Sequence, residues 1–167
     1  MKTFNKIICL LIALLCATAV FTACNGSSDD NGGSSAGVFA VTYKDTVIKL
    51  DADAKAVLEA LGDPKYTDNL GDCGGIGVQT KYTYDDIAIN TLKEKDGEKI
   101  HKISLLNDLV STSKGISIGS DEASVKEAYG TPSAEENGKL TYKSVNLELE
   151  FTIKNGSVNA INFRRIV

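Results

Sequence analysis

The feature that most constrains how this chain can fold is an internal repetition of a 17-residue segment. Residues 48–64 align without a gap on residues 116–132, and seven of the 17 aligned pairs are identical. About one identity would be expected from average composition. Farther along, residues 82–84 match residues 140–142 at a smaller offset. The pattern predicts two copies of one structural unit, the first with a longer loop, because a single copy has too little core to stand alone.

Each copy is predicted to begin with a short amphipathic helix. Asp51 or Ala52 in the first copy, and Ser120 in the second, are expected near the N-caps. Gly62 and Gly130 are placed to end the helices in the left-handed conformation. Apolar residues at helical spacing form one face, which consists of Ala54, Val57, Leu58 and Leu61 in the first copy and Val125, Ala128 and Tyr129 in the second.

Antiparallel strands are predicted to follow each helix. Residues 145–153 alternate between apolar and polar side chains, which is typical of a strand with one buried face. Asn155-Gly156 and Asp96-Gly97 are then expected to form tight hairpin turns. The residues predicted to be buried are Val57, Leu61, Val125, Tyr129, Leu147, Leu149, Phe151, Ile161 and Phe163.

These elements together predict an α+β fold. Each copy would be a helix followed by about three antiparallel strands, with the copies at about 38–110 and 115–167. The helices are expected to pack on one face of a single continuous antiparallel sheet, because their apolar stripes must be covered.

The first residues read as a targeting segment. Residues 1–23 combine a positive start with an apolar run too short for a confident membrane span, and residues 21–24 resemble the lipobox of bacterial lipoproteins. Cys24 is therefore predicted to carry lipid, including palmitate, and to anchor the protein outside the cytoplasmic membrane. An ordinary secretory signal is the alternative. Residues 24–37 would be a flexible tether, and 38–167 a single domain.

Charge and cysteine content exclude several classes of protein. The chain has a net charge of −4 and no basic cluster, which disfavours nucleic-acid binding. Of its four cysteines, two lie in the signal peptide and one is the predicted anchor. Cys73 alone remains, so an intramolecular disulfide is not expected.

Several motifs of the second copy carry a family resemblance, namely Ile116-Ser117-Ile118-Gly119-Ser120, Val125, Tyr129-Gly130-Thr131-Pro132, Leu140-Thr141-Tyr142 and Asn155-Gly156-Ser157-Val158. With these motifs, the two copies resemble the family that includes the beta-lactamase inhibitor protein and the small lipoprotein of the outer-membrane assembly machine. The resemblance implies a strand–helix–hairpin unit in tandem and a protein-binding role. Residues 81–119 are also similar to uncharacterised lipoproteins of anaerobic Gram-positive bacteria.

Residues with catalytic or metal-binding chemistry are sparse. Residues 71–77 are rich in glycine but lack the lysine and helix start of a phosphate-binding loop. Cys73 and His101 could act as nucleophile and base. His101 has the same strand parity as Ile103 and Leu105, however, so a half-buried strand position explains the histidine more simply. Asp85-Asp86 suits a hairpin turn better than a calcium site. We therefore expect no enzyme, cofactor or metal site; a small hydrolase or thiol-redox protein using Cys73, or a small-molecule binder, is the alternative.

The leading functional prediction is a protein-binding module of the cell envelope with an unidentified protein partner. Its surface would be the sheet face that the helices leave uncovered, and an acidic strand on that face would favour a partner with a basic patch. On the first copy this face would carry Ala88, Asn90 and Leu92. The candidate contact residues are Tyr82, Asn146, Glu148 and Glu150.

Overall fold

The computed structural model describes residues 39–72 and 75–167. The predicted signal peptide (1–23), the lipidation site at Cys24 with its tether (24–37), and Cys73 all lie outside the described residues, so they stay predictions. Within the described part of the chain, no helix is long and apolar enough to cross a membrane.

Over these two ranges the chain forms ten strands and two short helices. The elements are β1 (Ala40–Tyr43), β2 (Thr46–Lys49), α1 (Ala54–Leu61), β3 (Tyr66–Asp72), β4 (Val78–Thr83), β5 (Ile87–Glu94), β6 (Gly97–Leu105), α2 (Glu122–Tyr129), β7 (Ala134–Glu136), β8 (Lys139–Ser144), β9 (Leu147–Lys154) and β10 (Ser157–Arg165). Strands β1 and β2 form a small two-stranded sheet, and the other eight strands form one antiparallel sheet in the order β3-β4-β5-β6-β10-β9-β8-β7.

Asn-Gly pairs make two of the turns that connect these strands. Asn155 and Gly156, between β9 and β10, have φ angles of 54° and 78°. Asn137 and Gly138, between β7 and β8, have φ angles of 52° and 72°. Positive φ at both central residues is what a type I′ hairpin requires, so the hairpin predicted at Asn155-Gly156 is confirmed.

The helices start slightly later than their sequence pattern suggests. The N-cap of α1 is Asp53, whose carboxylate accepts a hydrogen bond from the backbone amide three residues on, at 3.2 Å. The N-cap of α2 is Asp121. The predicted caps, Asp51 or Ala52 and Ser120, are therefore displaced by one or two residues, because several adjacent polar residues could each have capped the helix.

Each helix ends at a glycine whose carbonyl accepts a hydrogen bond from a buried tyrosine. Gly62 and Gly130 close the helices with φ angles of 74° and 78°. The Tyr84 hydroxyl donates a hydrogen bond to the carbonyl of Gly62 at 3.3 Å, and the Tyr142 hydroxyl donates to that of Gly130 at 3.2 Å. Both tyrosines are buried, so these bonds position each helix end over its strand.

The predicted fold class, α+β with tandem units of a helix and about three strands and helices over one sheet face, is wrong. The described chain is mostly strand, and four strands rather than three follow each eight-residue helix. Such a helix is about 12 Å long, whereas eight strands side by side span about 34 Å, so the helices are too short to cover the sheet face. Strands β3 and β7 are largely exposed and polar, so their sequences lack the apolar alternation that would predict a strand.

The core lies on one face of the large sheet and includes residues of both helices and of other segments. Val41 and Ile48 of the small sheet, together with Val110 and Ile116 of the loop before α2, belong to the same buried cluster. Of the predicted core residues, Tyr129 and Leu147 are only partly buried but pack against that cluster. The others are buried, namely Val57, Leu61, Val125, Leu149, Phe151, Ile161 and Phe163.

Candidate partner-binding surface

The sheet face opposite the core carries two rows of side chains across its central strands. Directly paired residues of an antiparallel sheet point to the same side, so the register defines these rows. The first row, from β4 to β8, is Thr83, Ala88, Ser104, Asn162, Glu150 and Thr141. The second row is Lys81, Asn90, Lys102, Arg164, Glu148 and Lys143. We call these two rows, with Lys139 beside them, the open face.

The two glutamates of β9 on this face are both paired with cations of the neighbouring strands. Glu148 is buried, and its carboxylate forms ion pairs with Arg164 of β10 and, at 3.5 Å, with Lys143 of β8. Glu150 pairs with Lys139 of β8 at 3.1 Å. The acidity that β9 shows in the sequence is therefore balanced by the strands on either side of it.

Positive charge exceeds negative charge on the open face. Lys102 lies directly opposite Arg164 in the register of β6 and β10, and no described carboxylate is within ion-pairing distance of Lys102. Like charges in directly opposed positions destabilise a strand pair. The two rows with Lys139 thus carry a net positive charge in a chain whose net charge is −4. Against Glu148 and Glu150 stand Lys81, Lys102, Lys139, Lys143 and Arg164. At the two edges of this face, Asp68 of β3 lies directly opposite Lys81 and Glu136 of β7 lies directly opposite Lys139, so the positive excess is concentrated on the central strands.

Two adjoining clefts lie on the open face and share Glu148 and Arg164. The larger, which we call the histidine cleft, has a volume of about 370 Å³. The smaller, of about 170 Å³, lies over Lys102, Glu150 and Asn162. Asn162 is held there by the Ser104 hydroxyl, which donates a hydrogen bond to its side-chain oxygen at 2.8 Å. The walls of the histidine cleft include Ile76, His101, Lys143, Glu148, Arg164 and Ile166.

His101 lines the larger cleft because the register of β6 slips beside it. Lys102 pairs with Asn90 and Ile100 pairs with Thr91, which leaves His101 without a partner in β5. The alternation of β6 predicts that His101 is half-buried on the side of the core residues. It is instead buried, at 7% exposure, in the wall of the cleft.

The electrostatic environment of His101 favours its neutral form. Burial lowers the pKa of the imidazole, and the positive charges of Arg164 and Lys102 lower this pKa further. The Nδ1 atom has no hydrogen-bond partner among the described residues. The cleft therefore favours the neutral ring, and no described residue holds it by a hydrogen bond at that nitrogen.

The four predicted contact residues do not come together on this surface. Glu148 and Glu150 lie on the open face, and Asn146 lies in the exposed turn between β8 and β9. Tyr82 pairs with Ile89 and packs against the core cluster, so it lies on the opposite face. Tyr82 is therefore separated from the others by the sheet itself.

Two apolar residues depart from the alternation that was predicted. Val145, expected to begin the buried face of β9, lies in the β8–β9 turn and is fully exposed. Leu92, expected on the uncovered face, is buried. A side chain at Gly77 would meet the Leu92 Cδ1 atom at 3.2 Å, so the backbone before β4 covers this leucine.

Sequence reasoning missed the cations that surround Glu148. Lys102, Arg164 and Lys143 each occupy the exposed phase of a strand, and alternation alone assigns them to solvent. The pairing of β6 with β10, of β10 with β9 and of β9 with β8 brings them together.

Other predicted features have structural explanations. Asp85 forms an ion pair with Lys65, and Asp86 accepts a hydrogen bond from the Asn107 side chain at 2.7 Å. In the described ranges no group of three or more His, Cys, Asp or Glu residues could hold a metal ion. The alternative that this chain is a hydrolase or redox protein using Cys73 stays a prediction, since Cys73 lies outside the described residues.

Comparison with known families gives one match, over residues 39–157. The chain belongs to the DUF7738 family, a domain of unknown function. The matched residues begin with the first described residue and reach the start of β10. No curated protein and no solved structure matches the chain. The resemblance to the family of the beta-lactamase inhibitor protein stays a prediction.

Proposed function

We propose that this chain is a non-enzymatic, lipid-anchored binding protein of the cell envelope, and that its open face binds an acidic surface of another protein. The anchor would be Cys24, joined to the domain by the tether of residues 24–37. The observation that carries the proposal is the excess of cations in the row of side chains that crosses the open face from β4 to β8. The protein would act outside the cytoplasmic membrane.

The register of the sheet supports an acidic rather than a basic partner surface. Sequence alone emphasised the glutamates of β9 and predicted a basic partner patch. Both glutamates are already paired with cations, while Lys81 and Lys102 have no ion pair among the described residues. An acidic partner surface would therefore complement the face, and complementary charge mainly accelerates association and makes it sensitive to salt.

The anchor can be tested separately from the binding face. Cys24→Ser should abolish metabolic labelling with palmitate and should release the protein from the membrane fraction or leave it unprocessed. Cys73→Ser is the matched control and should be labelled normally. Labelling that survives Cys24→Ser would exclude Cys24 as the lipid anchor.

The binding face can be tested with charged polymers. A fragment from residue 33 to Val167, which contains the compact unit, should bind poly-L-glutamate but not poly-L-lysine. Raising the salt from 50 to about 500 mM should abolish the binding, because the Debye length shortens several-fold. The double variant Lys81→Glu/Lys102→Glu should lose binding.

A control with the same charge change separates the open face from overall charge. Lys93→Glu/Lys95→Glu alters two exposed lysines at the end of β5, away from the open face. This variant should retain most of the binding to poly-L-glutamate. Equal loss in both double variants would show that net charge, and not the open face, controls the interaction.

A further inference from the structure

The histidine cleft contains two buried nitrogens that the protein leaves without a hydrogen bond. His101 and Arg165 each line the cleft and are each 7% exposed. Among the described residues, the Nδ1 of His101 and the Nε of Arg165 have no hydrogen-bond partner. Buried polar groups nearly always have a hydrogen-bond partner. Two buried nitrogens without one in the same cleft therefore indicate that the cleft binds a ligand.

The charges in the cleft suit a ligand with one negative charge. The terminal nitrogens of Arg165 are already paired with Asp51 and Glu94. Of the remaining groups, Lys143 and Arg164 share the single carboxylate of Glu148. Around Glu148 one positive charge is therefore left over, and Lys102 lies directly across from Arg164. Arg165 together with its two carboxylates carries one net negative charge, but Asp51 and Glu94 do not line the cleft.

Apolar groups form the other side of the cleft. Ile76, Ile166 and Val167 all line it, and their side chains are 40%, 42% and 63% exposed. Exposed apolar side chains beside a cation give a surface that can bury an aliphatic group and pair an anion at the same time.

We infer that the histidine cleft receives an aspartate or glutamate side chain of the partner protein, with an apolar side chain of the same segment against Ile76 and Ile166. This inference rests on the proposed function and names the part of the open face that recognises the partner. A carboxylate fits better than a phosphate, because a phosphate carries nearly two negative charges at neutral pH and Glu148 stands in the wall.

The test uses two matched peptides as probes. N-acetyl-Ile-Glu-Leu amide and its glutamine counterpart differ only in charge at the central residue. Each is titrated into the isotope-labelled fragment 33–167, and amide chemical shifts are followed by NMR. The glutamate peptide should shift the amides of Ile76, His101 and Arg164 and should bind about tenfold more tightly than the glutamine peptide, since hydrogen bonds to charged groups are the strong ones.

Two variants report on the cleft and one serves as control. Arg164→Gln should weaken binding of the glutamate peptide about tenfold. Ile76→Asp places a repelling charge at an exposed position and should weaken it similarly without affecting the core. Lys95→Gln also removes one positive charge, away from the cleft, and should leave binding unchanged.

Each contrary result has a defined meaning. Equal affinity for the two peptides, or shifts confined to other residues, would overturn the cleft assignment. If poly-L-glutamate still bound through Lys81 and Lys102, the proposed function would stand without the cleft. Loss of both would remove both proposals. Arg164-dependent binding to phosphatidylglycerol vesicles, with no response to either peptide, would assign the cleft to a membrane surface and also overturn the inference.

Discussion

The guanidinium of Arg165, at the end of β10, is ion-paired with the carboxylate of Asp51, which lies 114 residues earlier in the chain. Its other terminal nitrogen is paired with Glu94 at the end of β5. One arginine thus joins the connection between β2 and α1 to two strands of the large sheet. The Arg165 side chain is only 8% exposed, whereas the carboxylate side chains are 53% and 34% exposed.

Replacing Arg165 with methionine should destabilise the domain by about 1–3 kcal/mol. The estimate is below that for a fully buried ion pair because water screens the two carboxylates. Urea unfolding gives the measurement. Lys154→Met is the matched control, because it also replaces a cation with methionine but at an exposed position. It should change the free energy of unfolding by less than about 0.5 kcal/mol. Equal effects would show that the Arg165 ion pairs contribute nothing.

The two tyrosine hydroxyls that donate hydrogen bonds to the helix ends should contribute similar amounts to the free energy of unfolding. Tyr84→Phe and Tyr142→Phe each remove one hydrogen bond to a glycine carbonyl and should each cost about 0.5–1.5 kcal/mol of unfolding free energy. Tyr66→Phe, at an exposed position, is the matched control and should be neutral. A cost restricted to one of the two buried tyrosines would contradict their equivalent role.

Phe151 lies at the centre of an aromatic group in the core. It has no exposed surface, and its ring lies 5.2 Å from that of Tyr129 and 5.9 Å from that of Tyr142. Phe151→Ala should therefore cost about 3–5 kcal/mol, by lost burial and by the cavity left behind. Val145→Ala, in the exposed turn, should be nearly neutral in the same unfolding experiment. A small loss for Phe151→Ala would mean that the core collapses around the cavity.

Stability should fall as the pH drops through the range in which histidine titrates. The pKa of His101 is lowered in the folded state, so the unfolded state binds a proton first as the pH falls. The resulting loss begins near the ordinary histidine pKa and continues down to the folded-state pKa. Because the chain has one histidine, His101→Gln should flatten the profile between pH 7.5 and 5.5. An unchanged slope in this variant would assign the effect to other groups.

Local features of the structure could be read from the sequence. The positive φ angles at Gly62, Gly130 and Asn155-Gly156 were predictable, because each depends on the preferences of a few adjacent residues. The buried phase of β9 beyond its first residues was predictable for the same reason, since Leu149 and Phe151 alternate with polar neighbours.

The tertiary structure alone decided which distant residues meet. The pairing of β6 with β10 sets Lys102 against Arg164, and the pairing of β8 with β9 sets Lys143 against Glu148. An alternation pattern tells which face a side chain occupies, but it does not tell which strand lies beside it. A face that sequence suggested to be acidic is therefore cationic, because its charge is a sum over neighbours that are far apart in the chain.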